Sequence, residues 1–336
     1  MGQASTIDEV NIKGSLITPS LFGKSPTTEK SGKFRFIDLF AGIGGIRMGF
    51  EDVGGDCVFT SEWDSAAQKT YQANFGEIPY GDITKIRPEE IPTFDMLLAG
   101  FPCQPFSMAG LRKGFDDIRG TLFFDIARIV KYHKPSVVFL ENVKNLASHD
   151  KGNTLKTIVK TLEDLGYHVH HQVLNAKNFG LPQNRARIYI VAFKDKIDFQ
   201  FPKETNAKTR LGEILEYNVD DKYTISDKLW AGHQRRKKEH KEKGNGFGYS
   251  LFDNESVYTS TISARYYKDG SEILIQQKGR NPRKITPREA ARLQGYPESF
   301  VIPVSDTQAY KQFGNSVAVP VIKYLSKAVM KTGIIK

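Results

Sequence analysis

Phe34-Arg35-Phe36-Ile37-Asp38-Leu39-Phe40-Ala41-Gly42-Ile43-Gly44-Gly45 is the stretch on which the fold turns. Its first seven residues read as a buried strand, and Ala41 to Gly45 as a tight turn into a helix. Outward from it, further strands are predicted at residues 56–62, 94–99, 136–140, 168–175 and 187–193. Helices are predicted at 65–74, 122–132 and 154–165. Strands alternating with helices predict an α/β layer with a largely parallel sheet. Past about residue 208 the alternation stops. Residues 228–243 are polar and basic, with Lys228, Arg235, Arg236, Lys237, Lys238, Lys241 and Lys243 against Glu239 and Glu242. Gly244, Gly246 and Gly248 then interleave with aromatics, and strands are expected at 257–267 and 272–277. A helix is predicted from Thr286, an N-cap with Pro287 at the first helical position, to Gln294. A last helix is expected at 317–330.

The chain has 336 residues, 26% charged and 39% hydrophobic, enough for a core and far from the composition of a disordered chain. No apolar run approaches ~18 residues, so no membrane span is expected. The net charge of +10 favours a polyanionic partner. Two cysteines, Cys57 and Cys103, build no disulfide framework, and a reducing cytoplasm is the expected setting. Residues 1–32 carry no secretory pattern; a loose myristoylation match at Gly2 is of a kind that arises by chance, and a flexible tail is expected.

Five segments carry candidate chemistry, each with a plainer alternative. The turn 38–45 lets a ligand approach the backbone, and Glu62, 20 positions after Gly42, is placed to hold ribose hydroxyls. Its G-x-G-G spacing suits a nucleoside without a pyrophosphate; a structural turn is the alternative. Pro102-Cys103-Gln104 follows a strand, where a thiolate can add to an electron-poor carbon, although a free cysteine is commonly a small buried hydrophobe. Cys57, inside an apolar strand, is read that way. Residues 107–120, with Gly110, Gly114 and Gly120, read as a mobile loop over the site. Glu141-Asn142-Val143 ends another strand, where Glu141 serves as an acid or as a solvated cap. Gln183-Asn184-Arg185-Ala186-Arg187 places two guanidiniums on one strand face, for an anionic or carbonyl-bearing target or as ordinary surface arginines. Gln312-Phe313-Gly314-Asn315-Ser316-Val317 reads as a polar turn opening the final helix, with a plain N-cap as the alternative. His168, His170 and His171 lack partners at metal-site spacing, and no metal is expected.

In this order the motifs resemble the bacterial DNA (cytosine-5)-methyltransferases of type II restriction-modification systems, over residues 34 to about 330. The resemblance implies a class I S-adenosylmethionine-dependent methyltransferase (Rossmann-like) sheet with a smaller, mainly β or irregular target-recognition domain. The divisions are a tail at 1–32, a cofactor-binding catalytic domain at 33–208, target recognition at 209–300 and a return to the catalytic domain at 301–336. Cys103 is then the nucleophile and Glu141 the acid at cytosine N3, with Arg185 and Arg187 holding the base or nearby phosphates. Phe40, Gly42, Gly44, Gly45, Glu62, Trp63, Asp82, Ile83 and Asn315 line the S-adenosylmethionine site. Gln104, Ser107, Arg119, Arg265, Lys278, Arg280, Arg283 and Lys284 contact double-stranded DNA, Arg265 at a base edge and the last four at phosphates. Residues 244–249 and 261–270 further resemble the recognition regions of enzymes that methylate the inner cytosine of CCWGG or CCNGG sites. A restriction endonuclease is the implied functional partner, not necessarily a physical one, and a monomer is expected. A tRNA cytosine-5 methyltransferase and a non-catalytic repressor are the rivals; the basic insert favours duplex DNA over the first, and 1–32 is too short and polar for the second's extra domain.

Overall fold

The computed structural model describes residues 33–102, 122–205, 207–246 and 248–335. In chain order the elements are β1 (Phe34–Leu39), α1 (Gly45–Glu51), β2 (Gly55–Ser61), α2 (Ser65–Phe75), β3 (Met96–Gly100), α3 (Leu122–His133), β4 (Val137–Val143), α4 (Asn153–Asp164), β5 (His168–Asn175), β6 (Ala186–Phe193), α5 (Asp227–Glu242), β7 (Leu251–Phe252), β8 (Leu274–Ile275), β9 (Arg283–Lys284), α6 (Pro287–Leu293), α7 (Asp306–Asn315) and α8 (Val319–Met330). Among the described residues the main sheet runs β2-β1-β3-β4-β6-β5. β6 alone runs against its neighbours.

Both faces of this sheet are covered, which explains the nearly unbroken apolar runs. Phe34 and Phe36 of β1 pack with Ile46 and Phe50 of α1 and Ile322, Leu325 and Val329 of α8. Ile37 and Leu39 point the other way, into Ile126 and Val130 of α3 and Ile158 and Leu162 of α4. The chain leaves β1 for β2 on one side while β3 lies on the other, so the strand order reverses between β1 and β3. In open α/β sheets ligands bind at the carboxyl ends of strands beside such a reversal.

The later region corrects the expected strands and the expected turn at 312–317. No strand spans 257–267: Thr259 bridges only to Gln183, and 264–269 is turn. Its β-branched and aromatic residues pack as anchors instead, with Ile262 and Tyr266 wholly buried. The strand expected at 272–277 shrinks to β8, and β7, β8 and β9 form a small second sheet. The basic run becomes α5, whose N-cap Ser226 accepts from the Leu229 N–H. The second correction concerns 312–317. Gln312 to Asn315 close α7, a helix that the sequence reading did not foresee, and α8 begins only at Val319.

α6 starts as expected, with a capping box between Thr286 and Glu289. Glu289 is also the centre of a buried knot. Its carboxylate, fully enclosed, accepts both Arg283 Nη atoms at 2.7 Å and the backbone N–H groups of Thr286 and Glu216 at 2.8 Å. Arg283 is therefore a structural cation and not the phosphate contact expected of it, because both of its terminal nitrogens are spent on Glu289. Glu289→Ala leaves that guanidinium buried without a counter-charge and is expected to cost about 3–5 kcal/mol. A shift in the denaturant midpoint corresponding to under 1 kcal/mol would refute this account.

Candidate active site

The turn after β1 is strained where it meets the ligand crevice. Phe40 has φ 55° and Gly42 φ 56°, and for Phe40 the left-handed conformation costs roughly 1–2 kcal/mol. The bend swings residues 40–43, 45 and 46 to one wall of a cavity of about 730 Å³, within the usual range of ligand pockets. Glu62, leaving β2, locks the turn. Its Oε2 accepts the Gly42 N–H and its Oε1 the Asp64 N–H, both at 2.8 Å. Burial raises the Glu62 pKa against those two bonds.

Of the residues expected at a cofactor, Phe40, Gly42, Gly45, Glu62, Trp63, Asp82, Ile83 and Asn315 all line this cavity. Trp63 is 81% exposed, presenting its ring. Asp82 caps a short 3-10 turn, and its bonds to the Thr84 hydroxyl and N–H hold its pKa below the ordinary value. Gly44 is not among the lining residues: it caps α1 with φ 82°, and a Cβ there would meet the Phe75 ring at 2.2 Å. Its role is to let α2 pack against the turn.

The opposite wall carries the acid. Glu141 pairs in register with Gly100, the last residue of β3, and sits 8% exposed. Burial raises its pKa, opposed by the Arg187 and Arg185 charges. Arg187 Nε lies 3.3 Å from Glu141 Oε1. The neighbouring Asn142 donates to the Phe101 carbonyl at 2.7 Å, fixing the chain as it leaves β3 toward Cys103. Cys103, Gln104, Ser107, Arg119 and the expected loop 107–120 lie outside the described residues. Cys57 sits in β2 with its Sγ donating to the Phe59 carbonyl at 3.6 Å, and burial pushes its thiol far up, away from any nucleophilic use.

The two arginines do different work. Arg187 faces Glu141, whereas Arg185, 2% exposed, donates to the carbonyls of Ile262 at 3.2 Å, Gly314 at 3.1 Å and Ser316. Burial, with Arg187 nearby, lowers the Arg185 pKa to about 9. Arg185 is thus a clamp between segments that also lines the cavity, and its Nε has no partner among the described residues.

Sequence reasoning missed the Lys311–Asp64 ion pair (2.6 Å), both of whose residues line the cavity. Lys311 lies one turn before Asn315, so recognising α7 would have pointed to it.

The remaining DNA-facing expectations divide by exposure. Arg265 and Lys278 are exposed. Arg280 is exposed but bonded to Asp221 at 2.8 Å. Lys284 is half-buried, its ammonium 5.8 Å from the Tyr310 ring centroid, and burial lowers its pKa; it is packed into the fold instead of reaching for phosphate. Tyr249, beside the glycines 244–248, is held by α5 through Trp230 (centroids 4.7 Å) and Lys237 (4.2 Å).

No helix among the described residues is long and apolar enough to cross a membrane. The sequence family described as C-5 cytosine-specific DNA methylase matches residues 34–331. The chain is 63% identical over 308 residues to the type II methyltransferase M1.ScrFI of Lactococcus lactis subsp. cremoris, covering 90% of this chain and 79% of that protein. It is 48% identical over 334 residues to the type II methyltransferase M.HpaII of Haemophilus parainfluenzae, covering 93% of each. Among solved structures, the Dnmt2 methyltransferase of S. pombe superposes with a TM-score of 0.74 at 21% identity, covering 89% of this chain and 99% of that one. At that identity the likeness speaks to the fold.

Proposed function

The chain belongs to the C-5 cytosine-specific DNA methylases, and on that premise we propose that it methylates C5 of a cytosine flipped out of duplex DNA, through a covalent adduct with Cys103. It is a Rossmann-like α/β methyltransferase of the type II kind. The observation that carries the proposal is a convergence in one cavity: the β1 turn and Glu62 on one wall, Glu141 and Arg187 on the other, at the end of the strand that leads to Cys103.

The residues fit S-adenosylmethionine. A Cβ at Gly42 would meet no protein atom within 4 Å, so the turn backbone is open to a ligand. Each Glu62 oxygen, with one N–H already accepted, keeps a lone pair for a ribose hydroxyl. Trp63 offers an exposed ring, and Phe40, Asp82 and Ile83 complete the wall. When bound, S-adenosylmethionine supplies an electrophilic methyl group.

Cytosine C5 is too weak a nucleophile to accept that methyl unaided. The Cys103 thiolate forms a bond to C6, and the displaced electron pair makes C5 enamine-like as Glu141 gives its proton to N3. Desolvation keeps that proton on Glu141 to higher pH than usual, while Arg187 orients the carboxyl. C5 takes the methyl and then loses its proton; the returning electron pair expels Cys103 and restores the ring. The chemistry requires an unstacked base, hence flipping.

Residues 209–300 serve as the target-recognition domain beside a catalytic domain of 33–208 and 301–336, with Arg265 as a base reader. The protein acts as a monomer and protects DNA from a partner endonuclease cutting at a CC…GG frame. Bisulfite sequencing of a plasmid methylated by the enzyme tests this. Conversion-resistant inner cytosines in CCWGG or CCNGG sites are expected; protected cytosines confined to other frames would overturn the target. Methyl incorporation into tRNA and not into duplex DNA would overturn the substrate class.

A further inference from the structure

The segment carrying Arg265 is held from three directions. The Ile262 N–H donates to Gln183 Oε1 at 3.1 Å, and the Ile262 carbonyl accepts from Arg185. Thr259 and Asn184 exchange further bonds with the same strand entry, Thr259 N–H to the Pro182 carbonyl and Asn184 N–H to the Thr259 carbonyl, both at 2.9 Å. The third hold is a direct backbone contact. A Cβ placed on Gly314 would lie 2.3 Å from the Ser263 carbonyl carbon and 2.4 Å from the Ala264 nitrogen. Gly314 is therefore the only kind of residue over which these two peptides can lie flat. It lines the cavity with Asn315 and Ser316, and its own carbonyl accepts from Arg185.

We infer that Gly314 is a specificity-determining position: its bare backbone seats the peptides of Ser263 and Ala264 on the last turn of α7 and so fixes the height of the Arg265 turn above the cavity. Arg265 stands exposed between two wholly buried anchors, Ile262 and Tyr266, with its N–H held by Ser263 Oγ at 3.2 Å. An added methyl at 314 must push main-chain atoms about 1 Å to restore ordinary contact. The anchors on either side keep the turn folded, so the displacement falls on the exposed tip. Base readout by a guanidinium depends on geometry at that scale, and one lost bidentate contact relaxes discrimination by roughly 10–100-fold. Gly314 also lines the cavity, but the role inferred here is one of positioning, through its contact with Ser263 and Ala264, and the inference rests on the reading of this turn as the target reader.

The test compares Gly314→Ala, Gln183→Met and Arg265→Ala in the full chain. The site identified by bisulfite mapping is placed in a duplex, alongside duplexes with a single changed base pair. The ratio of kcat/KM between them is measured, with S-adenosylmethionine affinity by calorimetry. Gly314→Ala is expected to lower the ratio at least about tenfold. An unchanged ratio overturns the inference; so does a loss of cofactor affinity without loss of discrimination, which would make Gly314 part of the cofactor wall alone. Gln183→Met removes the hold on Ile262 together with the bonds to the Leu293 carbonyl and Gln294 and changes no cavity-lining residue, so if Gly314→Ala fails to fold, this variant decides by the same criterion. Should Arg265→Ala keep the ratio while Gly314→Ala lowers it, Arg265 is not the base reader, yet the turn is still set by Gly314.

Discussion

Cys103→Ser is expected to abolish methyl transfer, by more than about 10⁴-fold in kcat, the scale on which loss of a covalent nucleophile is felt. A neutral hydroxyl at pH 7 cannot replace a thiolate in attack on C6. Cys103 follows Gly100 by three residues, and Gly100 is in register with Glu141. Asn142 holds the Phe101 carbonyl beside the strand that carries the acid. Binding of S-adenosylmethionine and of duplex DNA should survive. A duplex with 5-fluorocytosine at the target should trap the wild-type enzyme, because the step that needs loss of the C5 proton is blocked. The serine variant should form no adduct. Turnover by Cys103→Ser within tenfold of wild type would remove Cys103 from its role.

Glu141→Gln should lower kcat by roughly 10²–10⁴-fold, the usual contribution of a general acid. The side chain keeps its size but has no proton to give to N3. Because burial holds the Glu141 pKa above the ordinary carboxylate value, the acid form declines only as pH rises through that raised value; this alkaline limb of the kcat/KM profile should vanish in the variant. Arg187 loses its counter-charge in the same step, so thermal unfolding must be followed to separate lost stability from lost chemistry. Cofactor affinity should change less than threefold. Glu62→Gln should do the reverse, raising the KM for S-adenosylmethionine with kcat at saturation largely kept. If Glu141→Gln lost cofactor affinity at an undiminished kcat, the assignment of the acid would fail.

The strand and turn from Phe34 to Gly45, the acid near the end of β4 and the alternation of strands with helices were legible because each depends on neighbours in sequence. Alternating helix and strand periods and glycine spacing are local quantities, and burial of both sheet faces writes them into unbroken apolar runs. Three things were not local. α7 was unforeseen because Gln312, Gly314 and Asn315 are turn-forming residues next to a predicted helix, so the end of one helix reads like the start of another. Arg283 and Arg185 looked like surface cations because sequence shows a charge but not its partner. Glu289 closes around one, and the carbonyls of Ile262, Gly314 and Ser316 around the other. The strand expected at 257–267 failed for the same reason. Its residues have strand propensity, but their backbone groups meet Gln183, Arg185 and Gly314 instead of a neighbouring strand. The sequence by itself determined the α/β layer and most of the turn and acid residues that reach the cavity, though not Asp64 and Lys311. Only the tertiary structure decided which cations remain for a ligand and which hold the fold, because a buried charge is spent on whatever partner long-range packing sets against it.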